Sequence, residues 1–182
     1  MKKPFLLSCV AAVAVVSAAQ TAYAQERVLR NSIVIHTTVE KAWQAMATSD
    51  GMKTWNVHDA QIEMKMMGKY HTHYSGKVGD PGTITNTILS YIPNRMFAIK
   101  LGYPSNFAVP DETGKRVALP EVVKADSVFS VAEFEDLGNG TVRVSGTMVG
   151  FQSGREWDLL YNFFSRANDS ELSALKKYLE KN

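Results

Sequence analysis

Residues 153–180 read SGREWDLLYNFFSRANDSELSALKKYLE, and this stretch decides the fold. Trp157, Leu160, Tyr161, Phe164, Leu172, Leu175 and Leu179 recur at spacings of three, four or eight. That is the stripe of one helix with one buried face. At about 1.5 Å per residue the helix would run about 40 Å, long for a globular protein. One apolar stripe of that length needs one broad surface to cover it. The rest of the chain offers short alternating segments, so the expected architecture is α+β: a curved antiparallel sheet of about six to seven strands wrapped around a long C-terminal helix.

Working back from that helix, the remaining elements fall into order. Ile33-Val34-Ile35 is a short β-branched run and reads as a strand. Thr37 to Glu40 spells T-x-x-E, a capping box in which hydroxyl and carboxylate satisfy free backbone N–H groups at a helix start. Val39, Ala42, Trp43 and Met46 then share one helical face. Thr48 to Gly51 ends that helix and starts a second short one carrying Met52 and Trp55. Residues 60–75 alternate: Ile62, Met64 and Met66 are expected on one face of a strand, and Tyr70, Thr72 and Tyr74 on one face of the next. Thr83 to Tyr91, Met96 to Leu101, Val128 to Phe134 and Thr141 to Val149 complete the strands. Asn139-Gly140 is a hairpin turn whose residues take positive φ.

Residues 103–124 break this rhythm. They contain Pro104, Pro110, Pro120 and Gly114, yet Tyr103, Phe107, Val109 and Leu119 are apolar. A connection this long is often functional, and its apolar residues suit a lid folded over a cavity.

The amino terminus reads as a targeting segment. Lys2 and Lys3 precede an apolar run from Phe5 to Ala19, and Ala22-Tyr23-Ala24 is a small-x-small cleavage site. Residues 1–24 are therefore expected to be a cleaved signal peptide, leaving 25–182 as a single periplasmic or secreted domain. The sole cysteine, Cys9, would leave with the signal. The mature chain would then have no disulfide, no cysteine nucleophile and no zinc–thiolate site. Of 20 basic residues two lie in the signal, leaving 18 against 18 acids. Such balance, without a basic stripe, speaks against nucleic acid as a partner, and no block of like charge marks a membrane surface.

The order of elements and several local strings resemble the SRPBCC (START-like, helix-grip) superfamily, in particular the branch named after the activator of a heat-shock chaperone ATPase. The strings are Ile33-Val34-Ile35, Val39-Glu40-Lys41-Ala42-Trp43, Asp50-Gly51-Met52 with Trp55, Met67-Gly68-Lys69-Tyr70, Pro93-Asn94-Arg95-Met96-Phe97, Asn139-Gly140-Thr141-Val142, and Leu172 to Glu180. Met67 stands where the family pattern has the first of two glycines. The resemblance implies an apolar cavity between sheet and C-terminal helix that holds a hydrophobic small molecule, with no cofactor. On that reading Phe97, Met148, Trp157, Tyr161 and Phe164 face the cavity, with Trp55 and Phe107 at its mouth. The resemblance also allows an enzyme acting on an aromatic or polyketide-like substrate, and a protein-interaction module with a filled core.

Two further constellations carry chemistry. His71 and His73 lie two apart on a strand, the arrangement for two metal ligands. Without a third, and with Tyr70 and Tyr74 expected to face inward, they read as an outward pair. Glu63, Asp126, Glu133 and Asp158 are the acids nearest to elements, none on a clearly apolar face, so no catalytic residue is assigned. No Ser–His–Asp pattern, phosphate loop or metalloprotease motif is present.

Overall fold

The computed structural model describes residues 27–120, 123 and 128–181. The expectations for residues 1–24, Cys9 and Asp126 lie outside the described residues. The elements are β1 (Arg27–His36), α1 (Val39–Ala47), α2 (Ser49–Trp55), β2 (Asp59–Ile62), β3 (Lys69–His73), β4 (Ile84–Ile92), β5 (Met96–Lys100), β6 (Ala108–Pro110), β7 (Arg116–Ala118), β8 (Phe129–Gly138), β9 (Thr141–Phe151) and α3 (Arg155–Leu179).

Seven strands form one antiparallel sheet in the order β1-β9-β8-β5-β4-β3-β2. Period-two alternation directs one residue set to its inner face: Leu29 and Ile35 from β1, Tyr70 from β3, Ile88 from β4, Phe97 and Ile99 from β5, Ala132 and Phe134 from β8, and Val142, Val144 and Met148 from β9. The 25-residue α3 lays Trp157, Leu160, Leu172, Leu175 and Leu179 against that surface. Glu156 and Asp158 in its first turn and Lys176 and Lys177 in its last complement the helix dipole. The architecture is the expected α+β grip. Asn139 and Gly140 turn the β8–β9 hairpin at φ of 54° and 69°.

The edge strand β1 is blunted by the helix it carries. Lys176 Nζ donates to the Val34 carbonyl at 2.7 Å, and the His36 N–H donates to Glu180 Oε1 at 3.0 Å. Two backbone groups that would otherwise template another strand are thus occupied.

Helices α1 and α2 are fastened through the carbonyls that α1 leaves unsatisfied at its end. Thr48 Oγ1 donates to Gln44 O at 2.7 Å, Trp55 Nε1 to Ala45 O at 3.0 Å, and the Tyr70 hydroxyl to Met46 O at 2.8 Å. The first is possible because Gly51 lets the two helices close: a Cβ there would sit 1.9 Å from Gln44 O. Beneath α1, Trp43 meets Phe97 and Phe134 edge-on at 5.9 and 5.6 Å, and Phe97 stacks on Tyr70 at 5.4 Å.

Three local expectations are corrected. The cap of α1 is Thr38, whose side chain accepts from Lys41 N, so the capping box from Thr37 does not form. β2 ends at Ile62, and Met66 and Met67 lie exposed in the turn to β3, 71% and 73% accessible. At the end of β3 it is His73 that is buried and Tyr74 that is 58% exposed, because the segment 74–83 folds back over the outer face. His73 Nδ1 accepts from Ser75 N and Gly76 N, and its Nε2 lies 3.1 Å from Pro81 O.

Candidate functional site

The segment 103–124 contains a second, two-stranded sheet. β6 and β7 pair as a hairpin whose turn is organised by Asp111, which accepts from Thr113 N and Lys115 N. Val109 at its centre is fully buried, and Leu119 nearly so. The hairpin lies on the first half of α3: Phe107 meets Phe163 edge-on at 5.8 Å, and Arg155 reaches Glu112 at 3.2 Å. This half of the helix is therefore covered on two sides, by the sheet and by the hairpin. Leu159 and Phe163, four apart and outside the main stripe, are the residues that need the second cover.

Between hairpin and helix lies a group of four rings. Tyr103 contacts Phe107 at 4.8 Å and Phe164 at 6.4 Å, and Phe163 contacts both Phe107 and Phe164. All four are only half-buried. The Tyr103 hydroxyl is the exception within the group: it is shielded from solvent and has no hydrogen-bond partner. Burial raises its pKa well above the usual phenol range, so it is a neutral donor.

One turn further along α3 the apolar stripe is interrupted. Asn168 stands four residues after Phe164, its Nδ2 3.2 Å from Met148 Sδ and 3.4 Å from Asn31 Oδ1. Glu171 follows, accepting a hydrogen bond from Asn56 Nδ2. Glu171 is half-buried, and desolvation raises its pKa despite the Asn56 bond. The ionised Glu171 in turn adds to the upward shift of the buried Tyr70 and to that of the more exposed Tyr74. A buried carboxyl without a cationic partner is a costly feature, and such groups mark functional sites.

The seven residues expected around a ligand are distributed as follows. Phe107 and Phe164 belong to the four-ring group. Phe97 belongs to the cluster under α1 with Trp43, Tyr70 and Phe134. Tyr161 packs edge-on against Phe151 at 5.2 Å and carries the Arg27 guanidinium over its ring at 4.4 Å. Met148 lies under Asn168, Trp157 is buried in the first turn of α3, and Trp55 pins α2 to α1. Two clefts open among the described residues. One, about 560 Å³, is lined by Arg95, Glu133, Glu135, Asp136 and Arg143 among others; the second, about 440 Å³, lies between His36, Thr37, Lys41 and Glu180. None of the seven lines either.

Of the acids considered from sequence, Glu63 and Glu133 are exposed and Asp158 pairs with Arg27 near the start of α3. No group of three or more His, Cys, Asp or Glu among the described residues is placed to hold a metal. His73 engages both ring nitrogens with backbone. No helix among the described residues is long and apolar enough to cross a membrane.

The solved structures with this architecture now have a context. The Aha1 dimer of Colwellia psychrerythraea superimposes with a TM-score of 0.61 at 19% identity, over 85% of this chain and 96% of that one. The fold is that of the Aha1-type helix-grip proteins. An HSP90 activator from Plasmodium falciparum, PFC0360w, matches at 0.55 and 11% identity over 81% and 89% of the two chains. Protein MLL2253 from Mesorhizobium loti matches at 0.63 and 13% identity over 86% and 98%. No protein-family model matches the chain, and no curated protein does. At these identities the likeness carries the fold and no partner.

Proposed function

We propose that the chain is an exported protein that binds a hydrophobic small molecule against the inner face of α3, with the β6–β7 hairpin as its cover. One observation carries this reading: four rings in contact around a cycle, none fully buried, include a tyrosine whose buried hydroxyl has no partner. Rings packed only to fill a core would be closed over, and a buried donor is normally satisfied. A ligand with an apolar body and one acceptor atom answers both. Its apolar area gains about 25 cal/mol per Å² removed from water, and its acceptor receives the Tyr103 hydrogen.

The test is a titration of mature protein (residues 25–182) with Nile red, a neutral apolar dye that carries a carbonyl acceptor. Saturable binding is expected. Phe107→Ala should weaken it about tenfold or more, since one lost ring contact of about 1.4 kcal/mol is a factor of ten. Absence of saturable binding, or native affinity in both Phe107→Ala and Phe163→Ala, overturns the reading.

A second reading, an enzyme acting on the same molecule, is favoured by the half-buried Glu171, whose pKa desolvation raises, a candidate general acid or base. It requires that a bound molecule change mass on incubation and that Glu171→Gln stop the change.

A further inference from the structure

Resting on the binding reading above, we propose that Glu171 selects the polar end of the ligand, accepting an elongated apolar molecule whose head donates hydrogen bonds, an ammonium above all, and rejecting carboxylate and phosphate heads. The placement comes from helix geometry. Glu171 is seven residues beyond Phe164, which at 100° per residue returns to the same face within about 20° and advances about 10 Å. A molecule lying along α3 with its body on the four rings therefore brings its end to this carboxyl.

The chemistry comes from what surrounds it. An ionised carboxyl offers about four acceptor positions, and Asn56 Nδ2 supplies the hydrogen bond described for Glu171. Among the described residues no lysine, arginine or histidine pairs with it. Lys176, one turn on, is committed to the Val34 carbonyl and to Glu180 at the edge of β1. The neighbours that sense Glu171 are Tyr70 and Tyr74. Tyr70 gives its proton to Met46 O, and Tyr74 shares Asn56. An anionic head would thus meet a half-buried acid with no cation to offset it, whereas a donor head completes the acceptor positions left over. Selection arises as much from the repulsive element as from the attractive one. Asn168, between rings and carboxyl, has its Nδ2 3.2 Å from Met148 Sδ and 3.4 Å from Asn31 Oδ1, a polar group midway along the path such a molecule would take.

Competition against Nile red on the mature protein, with dodecylamine, 1-dodecanol and dodecanoate below their micellar concentrations, separates the possibilities. Dodecylamine is expected to bind tightest, at least tenfold over dodecanoate, with the alcohol between. Glu171→Gln should bring amine and carboxylate within about threefold of each other, while Glu135→Gln, on the exposed face, should preserve the ranking. Dodecanoate binding as well as dodecylamine to the native protein overturns the selection by Glu171 and leaves the binding reading standing. A ranking that survives Glu171→Gln does the same. If Nile red itself fails to bind, both readings fall together.

Discussion

Two tyrosine hydroxyls in this protein are predicted to respond in opposite directions to the same substitution. The Tyr103 hydroxyl is buried without a partner; the Tyr70 hydroxyl donates to Met46 O at 2.8 Å. An unsatisfied buried polar group costs about 1–3 kcal/mol. Tyr103→Phe removes that group and almost nothing else, so it should stabilise the ligand-free protein by about 1–2 kcal/mol. For a domain of this size that is roughly 2–8 °C in Tm. Tyr70→Phe removes a made bond and strands a helix-end carbonyl, so it should destabilise by about 1–2 kcal/mol. The assay is urea denaturation and thermal melting of mature protein stripped of bound molecules by denaturation and refolding. The same Tyr103→Phe variant should bind Nile red about threefold to tenfold more weakly, because the donated hydrogen bond is lost. Stability gained where function is lost is the signature of a group held for binding. A Tyr103→Phe protein that melts more than about 2 °C lower than the native one would refute the reasoning, since it would mean the hydroxyl is satisfied.

Three further outcomes follow from the packing and the charges. Trp43→Ala deletes the hub of the Phe97–Phe134 cluster and should cost about 3–5 kcal/mol in urea denaturation; a loss under 1 kcal/mol would show that this end of the grip is not packed. Glu171 has its folded pKa raised above the 4.5 of the unfolded chain, chiefly by desolvation. The folded state therefore holds the proton more tightly, and stability falls as pH rises from about 4.5 through the folded value. Glu171→Gln should accordingly be more stable than the native protein at pH 7, with the gap closing toward pH 4.5; a gap that widens on acidification contradicts the assignment. Met67→Gly should leave the fold unchanged and raise stability by up to about 1 kcal/mol, because Met67 adopts φ 57° with its side chain in solvent; a loss of stability would mean the side chain makes a contact worth more than its strain.

The fold was legible because its signals are periodic and local. The stripe from Trp157 to Leu179 specified one helix with one face, the alternation in β5 and β9 specified which side meets it, and Asn139-Gly140 specified the last hairpin. What escaped was tertiary. His73 alternates outward on β3, and only the fold-back of residues 74–83 buries it. The choice of Thr38 over Thr37 as cap depends on where the chain leaves β1, and adjacent threonines give no local preference. The β6–β7 hairpin hides in a proline-rich segment because its strands are three residues each and are held by α3, not by their own pattern.

The candidate site left a trace that can be read in retrospect. The gap of eight between Phe164 and Leu172 skips position 168, where the stripe calls for an apolar residue and finds asparagine. Glu171, adjoining Leu172, reads as the helix's solvent side until Asn56 from the end of α2 bonds it. Leu159 and Phe163, an apolar pair off the stripe, likewise announced a second covering element. Polar residues inside a stripe and apolar residues outside it are the places where local rules yield to function or to a further layer.

The most direct test of binding is native mass spectrometry of residues 25–182 purified from an expressing cell, followed by denaturing extraction. The account predicts a mass above that of the polypeptide, and release of a small apolar molecule bearing a hydrogen-bond-donating group and an acceptor atom. The extra mass should be lost in Phe107→Ala. A native mass equal to the bare chain, from protein that also gives no saturable titration with Nile red, would contradict it.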